Sequence, residues 1–260
     1  GKTTMVLESL IPALQARIAG QALPGHVRCL EAPGIGRVML IDATPIGINV
    51  RSTVATYVGV HDELRKHFAR SEAAKQYGAK LAAEAGSKPG RHRGLTAGAF
   101  SYNTGSLRCD TCDGTGQISL DVQFLPDVEI CCPDCRGSRY RRAAHEIRCF
   151  FDDGAAYSLP DLMAMSVDEA LTVCAGLSRV SKKLQVLHDL GLGYLTLGEQ
   201  TPGLSGGEAQ RLKLASEMGR GQGDSVFVFD EPTIGLHPKD VQPLMGVFAS
   251  LITKGANVVV

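Results

Sequence analysis

Cys109, Cys112, Cys132 and Cys135 form two Cys-x-x-Cys pairs separated by nineteen residues. Two tight turns, each offering two sulfurs, suit a tetrahedral ion, and four thiolates close its coordination shell, so the spacing predicts one structural zinc. Cys131 leaves a second arrangement open, because Cys131 to Cys135 also spans a turn; Cys132 is preferred since it restores the Cys-x-x-Cys spacing. A redox dithiol would need a thioredoxin-like βαβ context, and the surroundings here are Gly-rich. Two further groups suit phosphate chemistry. Gly1-Lys2-Thr3-Thr4 reads as the tail of a phosphate-binding loop: backbone N–H groups wrap the phosphates of ATP, Lys2 neutralises their charge, and the Thr3 hydroxyl coordinates magnesium. Val226 to Phe229 is an apolar run that ends in two carboxylates, Asp230 to hold the magnesium shell and Glu231 to polarise the attacking water as catalytic base.

Elements of an α/β sheet must bring the phosphate-handling groups together. Met5, Val6, Leu7, Leu10, Ile11, Leu14 and Ile18 recur close to a helical period despite Pro12, which predicts a helix opening from the Gly-Lys-Thr turn. Val38 to Ile41, Val226 to Phe229 and the run beginning at Val258 read as buried strands, so both ends of the chain should share one sheet. The chain begins without Met and stops inside such a run, which reads as a fragment. Residues 59–159 differ in character and read as an insertion between a first core segment, 1–58, and a helical return with the remaining core, 160–260. Ser166-Val-Asp-Glu169 is a capping box for a helix through Cys174, and Leu184, Leu187 and Leu190 continue with helical spacing. Cys29, Cys149 and Cys174 have apolar neighbours and are read as buried fillers.

The 27 Lys+Arg balance 27 Asp+Glu, so affinity for nucleic acid must come from local clusters of charge. Such clusters flank the cysteines. No acidic residue stands between Ala85 and Cys109, where Lys88, Arg91, Arg93 and Arg108 are found, and Arg136, Arg139, Arg141 and Arg142 crowd together after the second pair. Brought together by one zinc, the two runs would make a patch suited to phosphate contacts that do not read sequence. Phe100 and Tyr102 are either stacking surfaces or, more simply, core of the small module. No run reaches the roughly 18 apolar residues a spanning helix needs, and no signal peptide precedes the first helix, which implies a cytoplasmic protein without a membrane partner.

Leu204-Ser205-Gly206-Gly207-Glu208-Ala209-Gln210 resembles the signature of ABC ATPases. There, Ser and two Gly at a helix N-terminus grip the γ-phosphate of a nucleotide held by another protomer or half, which the resemblance transfers to Ser205, Gly206 and Gly207. His237 follows Glu231 by only six residues, too early for the switch histidine, which would lie beyond Val260. Cys109 to Gly116 also fits the Cys-x-x-Cys-x-Gly-x-Gly repeat of DnaJ-type chaperones, but that family carries four copies. One complete copy and a partial one at Cys132 to Gly137 point to shared turn geometry instead.

Five further stretches, Ile41 to Gly47 with Arg51-Ser52 and Ala55-Thr-Tyr57, Phe100 to Asn103, Phe124 to Val128, Gly137 to Tyr140 and Leu204 to Leu214, are similar to the UvrA family of excinuclease components. These are the ATP-dependent damage sensors of bacterial nucleotide excision repair, and Phe-Leu-Pro-Asp-Val marks their C-terminal half. The resemblance implies an α/β ABC-type P-loop ATPase core, a mixed sheet with flanking helices, interrupted by an inserted α-helical and zinc-ribbon-like module. It implies ATP, magnesium and zinc as cofactors. Its partners would be damaged double-stranded DNA, the excinuclease component UvrB, a second copy in a homodimer and an N-terminal ABC half of the same chain. Lys88, Arg91 and Arg108 align with the family's basic residues for DNA contact. Two departures stand out: Ala43 replaces the usual Gln that senses magnesium and water, and about eight extra residues lie near 92–99. Both leave room for a paralogue with altered ATP coupling, or an ABC half serving drug resistance or transport.

Overall fold

The computed structural model describes residues 4–47, 49–84, 94–120, 128–218, 223–233 and 238–260. The chain divides into two compact units, one of residues 1–46, 189–192 and 204–260, the other of 47–188 and 193–203.

In the first unit the strands Arg37–Ile41, Ser225–Phe229 and Asn257–Val259 form a parallel sheet with Ser225–Phe229 in the centre. All five residues of that central strand are buried, as an apolar run covered on both faces requires. The helix Pro238–Thr253 makes the crossover to Asn257–Val259, burying Leu244, Val247, Phe248 and Leu251, with the Phe248 ring 4.6 Å from that of Phe229. On this sheet Ile11 and Leu14 pack against Val226 and Val228. The first helix is irregular: Met5–Leu10 is a π-helical stretch that passes into the α-helix Ile11–Ile18. Pro12 has no N–H for the carbonyl four residues earlier, and the Ile11 N–H reaches back to Val6 O, so the wider turn absorbs the proline.

The second unit is mostly helical, with helices Val60–Arg70, Glu72–Glu84, Leu159–Ala164, Val167–Val173 and Ser178–Asp189, and two hairpins, Gln117–Leu120 with Val128–Cys131 and Arg148–Phe150 with Ala156–Ser158. Ser166 and Glu169 make the anticipated capping box, and Cys174 caps the end of that helix. The expected boundaries at 58/59 and 159/160 are displaced. Residues 52–55 pair with 197–201, through Val54 N–H to Glu199 O at 3.0 Å, Ala55 N–H to Leu197 O at 2.9 Å and Thr201 N–H to Ser52 O at 3.0 Å. That pairing draws both flanks of the insertion into its own unit. Cys149 and Cys174 are buried, whereas Cys29 is exposed, because in its stretch without helix or strand the neighbouring Leu30, Ala32 and Ile35 are the side chains that pack against the core.

Phe100 and Tyr102 are fully buried, so they are core and not stacking surfaces. Around them runs a polar network. The Tyr140 hydroxyl donates to Phe100 O at 2.9 Å and sits 2.8 Å from His61 Nε2, which therefore carries the proton and donates to it. Burial, reinforced by the Arg65 charge, depresses the His61 pKa from 6.5 to about 3. Folding thus demands the neutral ring. Above pH 6.5 folded and unfolded chains agree in protonation; below it only the unfolded chain takes up a proton, until about pH 3. The stability from this site should fall by about 1.4 kcal/mol per pH unit on acidification through that window. Melting temperatures at pH 7 and pH 5 should show a smaller decrease for His61→Gln, which keeps a donor for Tyr140. An equal decrease in both proteins would contradict the assignment.

Candidate metal centre and nucleotide site

The sulfurs of Cys109, Cys112, Cys132 and Cys135 all lie within 4.8 Å of one another, in buried positions. Ligands about 2.3 Å from a tetrahedral zinc stand roughly 3.8 Å apart. Here Cys109 and Cys132 are 3.9 Å apart and Cys112 and Cys135 3.6 Å. The donor set and its size fit one zinc. Cys131 is exposed and outside the cluster. Burial raises the Cys109 and Cys135 thiols; at Cys112 burial also acts to raise the thiol, but the Gly116 N–H and the neighbouring sulfurs outweigh it and lower its pKa.

The turns that present the sulfurs are alike to a degree the sequence did not reveal. Asp113 and Gly114 have φ of 50° and 79°, and Arg136 and Gly137 have 49° and 83°. Gly116 at 81° is matched by Arg139 at 71°, so the second turn is geometrically complete although an arginine replaces the last glycine. The carbonyl of each matched residue accepts the N–H of the first cysteine of the other pair: Cys109 N–H to Arg139 O at 2.9 Å, and Cys132 N–H to Gly116 O at 3.0 Å. Gly116 N–H also points to Cys112 Sγ at 3.2 Å. A left-handed non-glycine residue costs about 1–3 kcal/mol. Arg139 offsets this by bonding Val50 O at 3.2 Å and lying 5.0 Å from the Tyr102 ring centroid. At Gly114 a Cβ would meet the Tyr102 carbonyl oxygen, so only glycine fits.

The basic flanks are less uniform than their composition implies. Arg139 is 4% exposed and Arg141 pairs with Asp110 at 2.5 Å, while Arg136 and Arg142 are exposed. Arg108 contacts Asp113 at 2.8 Å, and Arg51 contacts the same carboxylate at 2.9 Å, so two guanidiniums share one negative charge. Lys88, Arg91 and Arg93 lie outside the described residues.

In the first unit, Asp230 and Glu231 stand just past the C-terminal end of the central strand, the edge where parallel sheets bind ligands. Glu231 is exposed and adopts a left-handed φ of 47°. Both carboxylates line a cavity of about 350 Å³ with Val6, Leu7 and Thr233. Thr4 leads into the helix on that wall; Gly1, Lys2, Thr3 and His237 lie outside the described residues. The oxygen donors of Asp230 and Glu231 are of the kind that suit a hard cation such as magnesium.

Ser205 caps the helix Gly206–Glu217 in a capping box with Glu208. A Cβ on Gly206 would meet Ala43 at 3.2 Å, so the two small residues allow close approach of helix and loop. Two residues that the motifs left without a role lie one turn further along. Gln210 Nε2 donates to Ile41 O at 2.9 Å and Asp230 O at 2.8 Å, and Lys213 Nζ reaches Asp42 Oδ1 at 2.5 Å and Thr44 Oγ1 at 2.6 Å. Burial acts to raise the Asp42 carboxyl, but the bonds from Lys213 and Thr44 outweigh it and hold its pKa low. The i, i+3 spacing of Gln210 and Lys213 marks them as neighbours on one helix face, but nothing in it discloses the main-chain oxygens they bond.

No protein-family model matches the chain. Its full length is 40% identical to the UvrABC system protein A of Synechocystis sp. and 39% identical to that of Thermus thermophilus, in each case over 25% of the relative. The crystal structure of UvrA2 from Deinococcus radiodurans matches all of it with a TM-score of 0.81 at 38% identity, over 29% of that chain. The chain belongs to the UvrA family. It spans about a quarter of the length of the curated relatives it matches. The mixed α/β fold is thus that of the matching segment of UvrA2, and the four-cysteine cluster lies within the matched region. Among the described residues no helix is long and apolar enough to cross a membrane.

Proposed function

We propose that this chain is an ATP-hydrolysing half of the UvrA component of a nucleotide-excision-repair excinuclease, which binds damaged duplex DNA and loads UvrB at lesions. The observation that carries this is the joining, in one UvrA-family chain, of a zinc-sized four-sulfur centre to a sheet whose central strand ends in Asp230 and Glu231. In this reading Lys2, Thr3 and Thr4 hold the ATP phosphates with Gly1, Asp230 and Thr3 hold magnesium, and Glu231 orients water. Ser205, Gly206 and Gly207 close on the nucleotide of a second half. The protein works as a cytoplasmic homodimer. A paralogue with altered ATP coupling is a second reading, and Ala43 is the residue that favours it.

DNA is held through phosphates by Lys88, Arg91 and Arg108, the last of which directly precedes the first cysteine of the cluster. Arg108 and Arg51 share Asp113 and leave one positive charge uncancelled, which keeps this edge basic. The test is the salt dependence of duplex affinity in the full-length protein. The triple Ala variant should bind intact and lesion-bearing duplex more weakly by similar factors, with the slope of log affinity against log salt shallower by about 0.9 for each lost phosphate contact. An unchanged slope would place DNA elsewhere.

A further inference from the structure

The two hydrogen bonds of Gln210 link the helix that starts at Ser205 to the turn that carries the carboxylates. Gln210 is 3% exposed, so its amide is committed inside the protein. Its Nε2 spends both protons on main-chain oxygens at the ends of two neighbouring parallel strands, Ile41 O and Asp230 O. Ile41 O also accepts the Asp230 N–H at 3.2 Å, so one carbonyl anchors Asp230 from both directions. The next residue is Glu231, held at a left-handed φ of 47° that an unsupported turn would relax. A buried carboxamide is costly unless fully bonded, and a methionine or leucine would fill the same space without partners.

We propose that Gln210 is a positioning residue for the Asp230–Glu231 pair. It transmits the placement of the Ser205–Gly207 helix end to the carboxylates within the same unit. The inference rests on the ATPase reading for its consequence, and on the hydrogen bonds alone for its structural part.

Three substitutions in the full-length protein test it. Gln210→Met removes both donors at similar volume, Gln210→Glu removes them at the same shape, and Gln210→Lys keeps donors for both carbonyls. Hydrogen exchange at the Asp230 amide should quicken about 10-fold in the Met and Glu variants and stay near wild type in the Lys variant. Magnesium-dependent turnover should fall about 10-fold in the same two variants, with ATP affinity within about 2-fold, and should recover with Lys. Should Gln210→Met not fold, Gln210→Glu carries the same comparison. Wild-type exchange at Asp230 in the donor-lacking variants, or equal loss with Lys, overturns the positioning role. An intact exchange pattern in a wild-type protein that hydrolyses no ATP would instead overturn the ATPase reading and leave this brace standing.

Discussion

Cys112→Ser and Cys132→Ser should each lose the zinc and unfold the module around it, while Cys131→Ser keeps one ion per chain. Four sulfurs within 4.8 Å would complete a tetrahedral shell, and removing one leaves three, with Cys131 exposed and outside the cluster. Structural zinc contributes about 10–16 kcal/mol of apparent folding free energy, as much as or more than the roughly 5–15 kcal/mol that holds an ordinary domain together. Cys112 also receives the Gly116 N–H, and Cys132 is fully buried, so oxygen in place of either sulfur strains both turns. The consequences should spread along the bonds that join the turns, through Arg139 to Tyr102 and through Tyr140 to His61. Metal content and near-ultraviolet dichroism of the three variants check this. Full zinc in Cys132→Ser with loss in Cys131→Ser would reverse the ligand assignment.

What was legible in the sequence was local. The cysteine pairs, the capping box at Ser166, the helix start at Ser205 and the apolar strand ending at Asp230 each announce themselves within a few residues, because the interactions that define them are local. What was hidden depended on distant main chain. Gln210 bonds a carbonyl 169 residues earlier in the chain, and no side-chain pattern marks a carbonyl. The unit boundaries follow from pairing of 52–55 with 197–201, residues of ordinary composition. Charge misled for a related reason: a run of arginines does not disclose that Arg139 turns inward to satisfy Val50 O or that Arg108 meets Asp113. The Cys-x-x-Cys-x-Gly-x-Gly count likewise left the second copy partial, since Arg139 has the positive φ of Gly116 without the residue type.

Lys2→Ala should abolish tight ATP binding, and Glu231→Gln should leave binding intact while suppressing turnover. The two roles are separable because neutralising phosphate charge acts on the bound ground state, whereas orienting and polarising water acts only as the bond breaks. Glu231 suits the second role: it is exposed, it lines the cavity of about 350 Å³ beside Asp230, and its neutral isostere keeps the same shape. Loss of a general base typically lowers turnover by about 100- to 10,000-fold, and loss of a charge-assisted phosphate contact should weaken ATP by roughly 100-fold. The most direct measurement of the account is therefore ATP affinity and single-turnover hydrolysis, side by side, in these two variants of the full-length protein, with the proposed second nucleotide site silenced. The account predicts wild-type affinity with arrested hydrolysis for Glu231→Gln and lost affinity for Lys2→Ala; equal loss of affinity in both, or hydrolysis undiminished by Glu231→Gln, would contradict it.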